Sequence, residues 1–135
     1  RRRGAGPRGE GTILVVDDEQ SLVRVALRIL EGAGYRALGA TSGAEALQKA
    51  AHLDGPLDLL LTDVIMPGLS GLEVASRILQ AHPETRVLYM SGYSDDPRVR
   101  EATASGEQVL LAKPYTALRL LESVQALIGA SPIRE

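Results

Sequence analysis

Short apolar runs alternate with amphipathic segments along most of the chain, and this alternation predicts the order of its secondary structure. Runs rich in Leu, Val, Ile and Ala that are too short for helices are predicted as strands. They span residues 12–16, 35–40, 57–62, 86–90 and 108–112. The third run is apolar at most positions, as expected for a strand that is covered on both faces of a sheet.

Between the strands, apolar residues recur at helical spacing, which predicts five helices. The helices cover residues 19–31, 42 to about 52, 70 to about 82, 97–105 and 116 to about 128. Ser42 and Ser70 are each followed three positions later by Glu, which is the spacing of a capping box at a helix start. In the last helix, the residues expected to face inward are Leu118, Leu121, Val124 and Ile128.

Alternating strands and helices are typical of an α/β fold with a doubly wound parallel sheet. Right-handed crossovers between five strands would place the five helices on both faces of that sheet. Residues 1–11 are rich in Gly, Arg and Pro and are expected to be a disordered linker or tag. The folded domain is expected at residues 12–129, followed by a frayed tail at residues 130–135.

Composition narrows the classes to which the chain can belong. Its 135 residues fit one domain, and because Phe and Trp are absent, Leu, Val, Ile and Ala must form the core. A net charge of -2 indicates no general nucleic-acid surface. The lack of Cys excludes disulfides and thiolate metal sites and is compatible with a reducing cytosol. No apolar run approaches the ~20 residues that cross a membrane, and the first run is too short for a signal peptide.

Polar side chains follow the ends of four predicted strands. Asp17 and Asp18 come after the first strand, Asp63 after the third, Ser91 after the fourth and Lys113 after the fifth. In an open parallel sheet, ligands bind at the carboxyl ends of the strands, so these side chains are expected at one rim.

The residue types at this rim suit a divalent cation and a phosphoryl group. Asp17, Asp18 and Asp63 offer the oxygen ligands that Mg²⁺ prefers, and Mg²⁺ together with Lys113 would offset the repulsion between the carboxylates. A carboxylate can also accept a phosphoryl group as a nucleophile. Asp63 is the predicted acceptor because it stands alone, whereas the other two acids form a pair. Ser91 would donate its hydroxyl to a phosphoryl oxygen.

Each of these residues also has an ordinary structural explanation. An Asp after a strand commonly caps a helix or forms a turn. Polar residues at the ends of four successive apolar runs are nevertheless better explained by a functional site. His52 and His82 fall at helix C-termini, where the helix dipole favours a surface histidine over a metal ligand or base. Met66 is expected to pack in the core, because a thioether is a poor ligand for a hard cation.

These motifs give the chain a resemblance to the response-regulator receiver domains of two-component signalling. The resemblance runs from about residue 12 to about residue 128. It is carried by Asp17-Asp18-Glu19, by Asp63-Val64-Ile65-Met66-Pro67 with Gly71, by Ser91-Gly92 and by Lys113-Pro114. One position departs from the family: Leu110 stands where an aromatic switch residue is common.

The resemblance implies a flavodoxin-like sheet with strand order 2-1-3-4-5, Asp63 as phosphoacceptor, Ser91 as switch hydroxyl and Lys113 as the phosphoryl-binding cation. It also implies a Mg²⁺ site formed by Asp18, Asp63 and the backbone carbonyl of Ile65, with Asp17 acting through water. The Lys113–Pro114 peptide is expected to be cis. With Leu110 at the switch position, signal transmission is expected to depend on residues 92–106.

The implied function is a Mg²⁺-dependent phosphorelay in which a phosphohistidine on a histidine kinase or a histidine phosphotransfer domain donates to Asp63. The domain would not be a conventional enzyme, although it would catalyse its own phosphorylation and dephosphorylation. It is expected in the cytoplasm and would itself contact neither nucleic acid nor membrane. The domain would be the C-terminal receiver of a hybrid sensor histidine kinase, which could be membrane-bound. The alternative is that it is a single-domain regulator. The cognate kinase, the output and the oligomeric state stay open.

Three other functions compete with this hypothesis. A small phosphatase of the haloacid dehalogenase type would use Asp17 as nucleophile, but its sequence motif fits poorly and we expect 135 residues to leave no room for its cap domain. A flavodoxin-type FMN binder would need a phosphate-binding loop rich in Ser, Thr and Gly after the first strand, and the sequence has no such loop there. A degenerate receiver that serves only as a docking module is favoured by Leu110 but disfavoured by the complete set of acids.

Overall fold

The computed structural model describes residues 10–92, 96–97, 99–100 and 109–129. Their strands form one parallel sheet in the order β2-β1-β3-β4-β5, which confirms the predicted order. The strands and helices lie within two residues of their predicted bounds. They are β1 (Thr12–Val16), α1 (Gln20–Gly32), β2 (Arg36–Ala40), α2 (Gly43–Ala51), β3 (Leu59–Asp63), α3 (Gly71–Ala81), β4 (Arg86–Ser91), β5 (Val109–Ala112) and α4 (Ala117–Ile128).

The helix predicted at residues 97–105 falls largely outside the described residues. Pro97, Val99 and Arg100 are helical, and the amides of Val99 and Arg100 donate to the carbonyl of Asp96. The described part of the chain therefore holds four complete helices. None of its helices is both long enough and apolar enough to span a bilayer.

The sheet separates two apolar cores, because alternate residues of a strand point to opposite faces. On one face, Leu14, Val16 and Leu60 pack beneath α2 and α3. On the other face, the intervening strand residues pack beneath α1 and α4, together with Val23, Ala26, Leu30, Leu120 and Val124. Every residue of the central strand β3 is buried, as its apolar run predicts. Helices thus cover both faces of the sheet.

The register of the strands brings their carboxyl ends to one rim. Val16 pairs with Thr62, so the residues that follow them, Asp17 and Asp63, start from neighbouring positions. Ser91 pairs with Ala112, which places Lys113 directly beyond the end of β5. The pairing of the sheet thereby gathers residues that are far apart in sequence.

The two predicted capping boxes form differently. At α3, the Ser70 hydroxyl accepts from the Glu73 amide and the Glu73 carboxylate accepts from the Ser70 amide, as predicted. At α2, the Ser42 hydroxyl accepts from Glu45, but the Glu45 carboxylate turns instead to the amide and hydroxyl of Thr41. The reciprocal half of that box was wrongly predicted, because the Glu side chain satisfies a donor one residue earlier.

The inward face of the last helix also differs from the prediction. Leu118 is 58% exposed, whereas Leu120 is fully buried together with Val124. Successive helical residues are rotated by about 100°, so Leu118 lies about 200° from Leu120 and faces solvent when Leu120 faces the sheet. Leu121 and Ile128 lie at the margin of this buried stripe and are partly buried.

Candidate functional site

Three aspartates meet at the carboxyl rim of the sheet. Asp17 follows β1 and is 1% exposed, and Asp63 ends β3 and is 8% exposed, whereas Asp18 is open to solvent. Each can offer one carboxylate oxygen such that these atoms all lie within 4.8 Å of one another. Hard oxygen donors this close together suit a small divalent cation.

Lys113 reaches into this acidic cluster from the end of β5. Its Nζ donates to Asp17 Oδ2 at 2.9 Å and to Asp63 Oδ2 at 3.1 Å. The Lys113 backbone amide donates to the carbonyl of Ser91, which ties the ends of β4 and β5 together. The Lys113–Pro114 peptide is cis, as predicted. One ammonium is thus shared between two buried carboxylates.

Ser91 follows Met90, the residue that pairs with Asp63 in the sheet, and Ile65 follows Asp63 by two positions in the chain. Ser91 is the last residue of β4 and is 2% exposed. Ile65 lies in the loop after β3 and lines the same cavity as Asp63. Val64 and Met66 of this loop are buried, as expected for Met66.

Burial and charge oppose one another at the site. Burial raises the pKa of Asp63 above its usual value and the Asp17 charge adds to this rise, although Lys113 and the Ile65 amide lower it. Burial lowers the pKa of Lys113, but hydrogen bonds and charges from Asp17 and Asp63 outweigh it, and the net pKa is raised. The lysine is therefore kept as a cation between the two carboxylates.

An open cavity of about 810 Å³ lies over the cluster. Its lining comprises Asp18, Glu19, Asp63, Ile65, Met66, Pro67, Gly92 and Lys113. Asp17 is not part of this lining; its Oδ1 accepts from the Glu19 amide beneath the cavity. Asp63 therefore borders the cavity, whereas Asp17 does not.

A second, apolar groove adjoins the cavity and was not anticipated from the sequence. It measures about 280 Å³ and is lined by Leu22, Val25, Lys113, Pro114 and Tyr115. Val25, on α1, fits the apolar spacing of that helix in the sequence, yet it is 48% exposed. Spacing alone therefore gave no signal for this groove.

The two histidines lie outside the acidic cluster. His52 and His82 follow the ends of α2 and α3. The His52 ring contacts the carbonyl of Gln48, and the His82 ring contacts the carbonyl of Ala50. Both rings therefore bond to helix C-terminal carbonyls, in agreement with the structural explanation.

Comparison with known proteins places this geometry among signalling domains. The family model of the response regulator receiver domain matches residues 13–125. The sensor kinase CckA of Brucella abortus (strain 2308) is 31% identical over 120 residues, which are 89% of this chain and 13% of that kinase. The response regulator receiver protein CpdR of the same organism is 27% identical over 119 residues, which cover 88% of this chain and 98% of CpdR.

Solved structures agree with this assignment. A response regulator receiver domain protein from Clostridium thermocellum has a TM-score of 0.78 and 30% identity, over 87% of this chain and 94% of that chain. The chemotaxis protein CheY4 of Vibrio cholerae has a TM-score of 0.78 and 28% identity, over 88% of this chain and 99% of CheY4.

Proposed function

Because the chain belongs to the response-regulator receiver domain family, we propose that it is a phosphoacceptor switch in which Asp63 receives the phosphoryl group of a phosphohistidine. One observation carries the choice of Asp63. Among the three clustered acids, it alone both lines the open cavity and contacts Lys113. Asp17 contacts Lys113 but is enclosed, and Asp18 lines the cavity without that contact.

The side chains around Asp63 suit this transfer. An Asp63 oxygen would attack phosphorus as the phosphorus–nitrogen bond breaks, and the imidazole would leave with the electron pair of that bond. Before transfer, Lys113 opposes the rise that burial causes in the pKa of Asp63. Afterwards it would pair with phosphoryl oxygens, which would release it from one carboxylate. Ser91, at the end of the adjacent strand β4, would offer its hydroxyl to a phosphoryl oxygen. Phosphoryl transfer needs such alignment and charge neutralisation more than covalent chemistry.

The acidic cluster is the proposed Mg²⁺ site. Asp18, Asp63 and the carbonyl of Ile65 would hold the ion directly, with Asp17 acting through water; the carbonyl ligand is carried over from the family. When bound, Mg²⁺ would supply positive charge to the oxygens of the transferring phosphoryl group. The spacing of the three carboxylates supports this assignment, since oxygens within 4.8 Å of one another fit around one small cation.

The competing phosphatase hypothesis requires Asp17 as an open nucleophile. Asp17 is 1% exposed, and both of its carboxylate oxygens are engaged, one by Lys113 and one by the Glu19 amide. A nucleophile must approach its substrate in line, which this enclosure prevents. The docking-module hypothesis is disfavoured by the complete set of acids and the lysine around one cavity.

The phosphodonor partner is proposed to be a histidine kinase or a histidine phosphotransfer domain that docks over the cavity and the apolar groove. Lys113 lines both, so a protein that presents a phosphohistidine to Asp63 would lie beside the groove and could cover it. The exposed Val25 and the partly buried Leu22 on α1 would then lose solvent contact, and burial of apolar surface favours association. The match to 13% of the CckA kinase fits a hybrid kinase as the parent, whereas the match to 98% of CpdR fits a single-domain regulator.

The test is phosphorylation of the purified chain by acetyl phosphate, or by a phosphorylated histidine phosphotransfer domain, with Mg²⁺ present. The wild type should gain one hydroxylamine-sensitive phosphoryl group, and Asp63→Asn should gain none. Asp54→Asn is the matched control, because Asp54 is an exposed aspartate outside the cluster. Undiminished labelling of Asp63→Asn would refute the assignment.

A further inference from the structure

Among the described strands, β2 lies at one edge of the sheet, so its outer side has no strand to bond to. On the inner side, the Arg36 amide donates to the Gly11 carbonyl, and the Ala40 carbonyl accepts from the Asp17 amide. The even-numbered residues of β2 therefore bond toward β1. Because bonding alternates along a strand, the odd-numbered residues point their amides and carbonyls outward. Such an edge is a template for pairing with another strand.

Two side chains of α2 occupy this outer edge. The Lys49 ammonium donates to the Gly39 carbonyl, and the Glu45 carboxylate accepts from the Thr41 amide at 2.8 Å. Gly39 and Thr41 are the odd-numbered residues on either side of Ala40. In an added parallel strand, the residue beside Ala40 would donate to that same carbonyl and accept from that same amide. Glu45 and Lys49 thus take the place of a neighbouring strand.

Glu45 and Lys49 also pair with one another on the surface of α2. Their charged atoms lie 3.4 Å apart, and the two side chains are 39% and 43% exposed. The hydrogen bond from the Thr41 amide lowers the pKa of the Glu45 carboxyl, and Lys49 adds to this effect, so the carboxylate is ionised at neutral pH. An exposed ion pair contributes little to folding stability, and α2 is anchored by buried Ala46 and Ala50. The pair can therefore open while the domain stays folded.

The outer edge of β2 is complementary to the same edge of a second copy. Two β2 strands, each spanning Arg36–Ala40, can run antiparallel about a twofold axis at Leu38. Ala37 of one copy would then face Gly39 of the other, and the two residues would exchange hydrogen bonds through their outward amides and carbonyls. Each edge supplies both donors and acceptors, as an isologous interface requires. Lys49 blocks this pairing, because its ammonium already occupies the Gly39 carbonyl.

We propose that the outer edge of β2 is a self-association surface for a second copy of this chain, and that Glu45 and Lys49 hold it closed. Opening the pair would let the sheets of two copies join into one continuous sheet. The proposal is independent of the phosphoacceptor role of Asp63, because the clustered acids lie outside β2 and α2.

The first experiment measures self-association of Glu45→Ala/Lys49→Ala by sedimentation velocity over a wide range of protein concentration. Alanine is a strong helix former, so α2 should persist, and the net charge stays at -2 because one charge of each sign is removed. The variant should self-associate at least about tenfold more tightly than the wild type, which is ~1.4 kcal/mol.

Arg28→Ala/Glu31→Ala is the matched control, because it removes the same two kinds of charge from exposed positions on α1. This control should self-associate no more than the wild type. Equal self-association of the two double variants would overturn the proposal, as would a folded Glu45→Ala/Lys49→Ala that associates no more than the wild type.

The second experiment locates the contact by hydrogen exchange of the Ala37 amide. In Glu45→Ala/Lys49→Ala, this amide should exchange at least about threefold more slowly at high protein concentration than at low concentration. The Ala46 amide, which bonds to the Ser42 carbonyl inside α2, should show no such dependence. An associating variant in which Ala37 stays unprotected would mean that the copies meet elsewhere and would refute the proposed surface.

A single substitution decides the question even when the double variant does not fold. Lys49→Met frees the Gly39 carbonyl and leaves Glu45 on the Thr41 amide, whereas Lys49→Arg keeps a donor for that carbonyl. Lys49→Met should self-associate more tightly than the wild type, and Lys49→Arg should not. The same degree of association in these two variants would contradict the proposal.

Discussion

The Lys113 ammonium lies 3.1 Å from Asp63 Oδ2, although the two residues are 50 positions apart in the chain. They follow strands β5 and β3, which are separated by β4 in the sheet, so the lysine side chain reaches across one strand to make this ion pair. The same ammonium also holds Asp17. Lys113 thus pairs with two of the three clustered carboxylates. The cluster keeps an excess of negative charge, which Mg²⁺ can offset.

This excess charge makes the free site a source of instability. Asp63→Asn should raise the free energy of unfolding at neutral pH without Mg²⁺, because a buried carboxylate with a raised pKa is disfavoured in its ionised form. The sign follows from linkage: the favourable contribution of protonated Asp63 is present at acid pH and is lost as pH rises through its folded pKa. Urea unfolding at several pH values measures this effect. Equal stability of the two proteins across the series would contradict it.

Asp18 is expected to govern metal affinity, because it is the exposed acid of the cluster and is free to rotate toward an ion. Asp18→Ala should weaken Mg²⁺ binding at least about tenfold, or 1.4 kcal/mol, as measured by calorimetry. The stabilisation that saturating Mg²⁺ gives the wild type should shrink in parallel. Asp54→Ala is the control, and an unchanged dissociation constant in Asp18→Ala would count against the pocket.

Lys113 should affect metal binding and phosphorylation in opposite directions. Lys113→Gln removes the cation that competes with Mg²⁺ for Asp17 and Asp63, so Mg²⁺ should bind more tightly. Phosphorylation by acetyl phosphate should nonetheless slow on the order of 100-fold, since a charge that neutralises the transferring group is lost. Lys49→Gln, which removes the lysine of the α2 surface, is the control. Weaker Mg²⁺ binding in Lys113→Gln would show that the lysine only supports the fold.

The stability of α3 should depend on its capping box. Ser70→Ala removes the acceptor of the Glu73 amide and should lower the free energy of unfolding by about 1 kcal/mol. Ser76→Ala, at an exposed position inside the same helix, should change it by less than about 0.5 kcal/mol. Urea denaturation of the two variants measures the difference, and equal effects would argue against the cap.

The sheet and the residues at its carboxyl rim could be predicted from the sequence because their signals are local. The apolar run of β3 and the Asp63 that ends it stand next to one another in the chain, and strand pairing then brings Asp17 beside Asp63. The exposure of Leu118 and the turn of Glu45 toward Thr41 depend on tertiary packing and on competing donors, which periodicity does not encode.

The route of signal transmission stays a prediction from the sequence. Residues 92–106, where a phosphorylation-dependent change is expected, fall largely outside the described residues. Leu110, at the position of the usual aromatic switch, is partly buried and packs against the core beneath α2 and α3. A leucine in that setting has no polar group that would gain from exposure. Signal transmission is therefore predicted to depend on residues 92–106 and not on a rotating aromatic ring.

The most direct test of the account is to locate the phosphoryl group. The chain is phosphorylated with acetyl phosphate and Mg²⁺, reduced with borohydride, which converts a phosphoaspartate to homoserine, and mapped by tandem mass spectrometry. We predict homoserine at position 63, and at neither Asp17 nor Asp18, and we expect the product to be lost when Mg²⁺ is chelated. Homoserine at Asp17 or Asp18, or a wild-type chain that stays unmodified with an active donor, would contradict it.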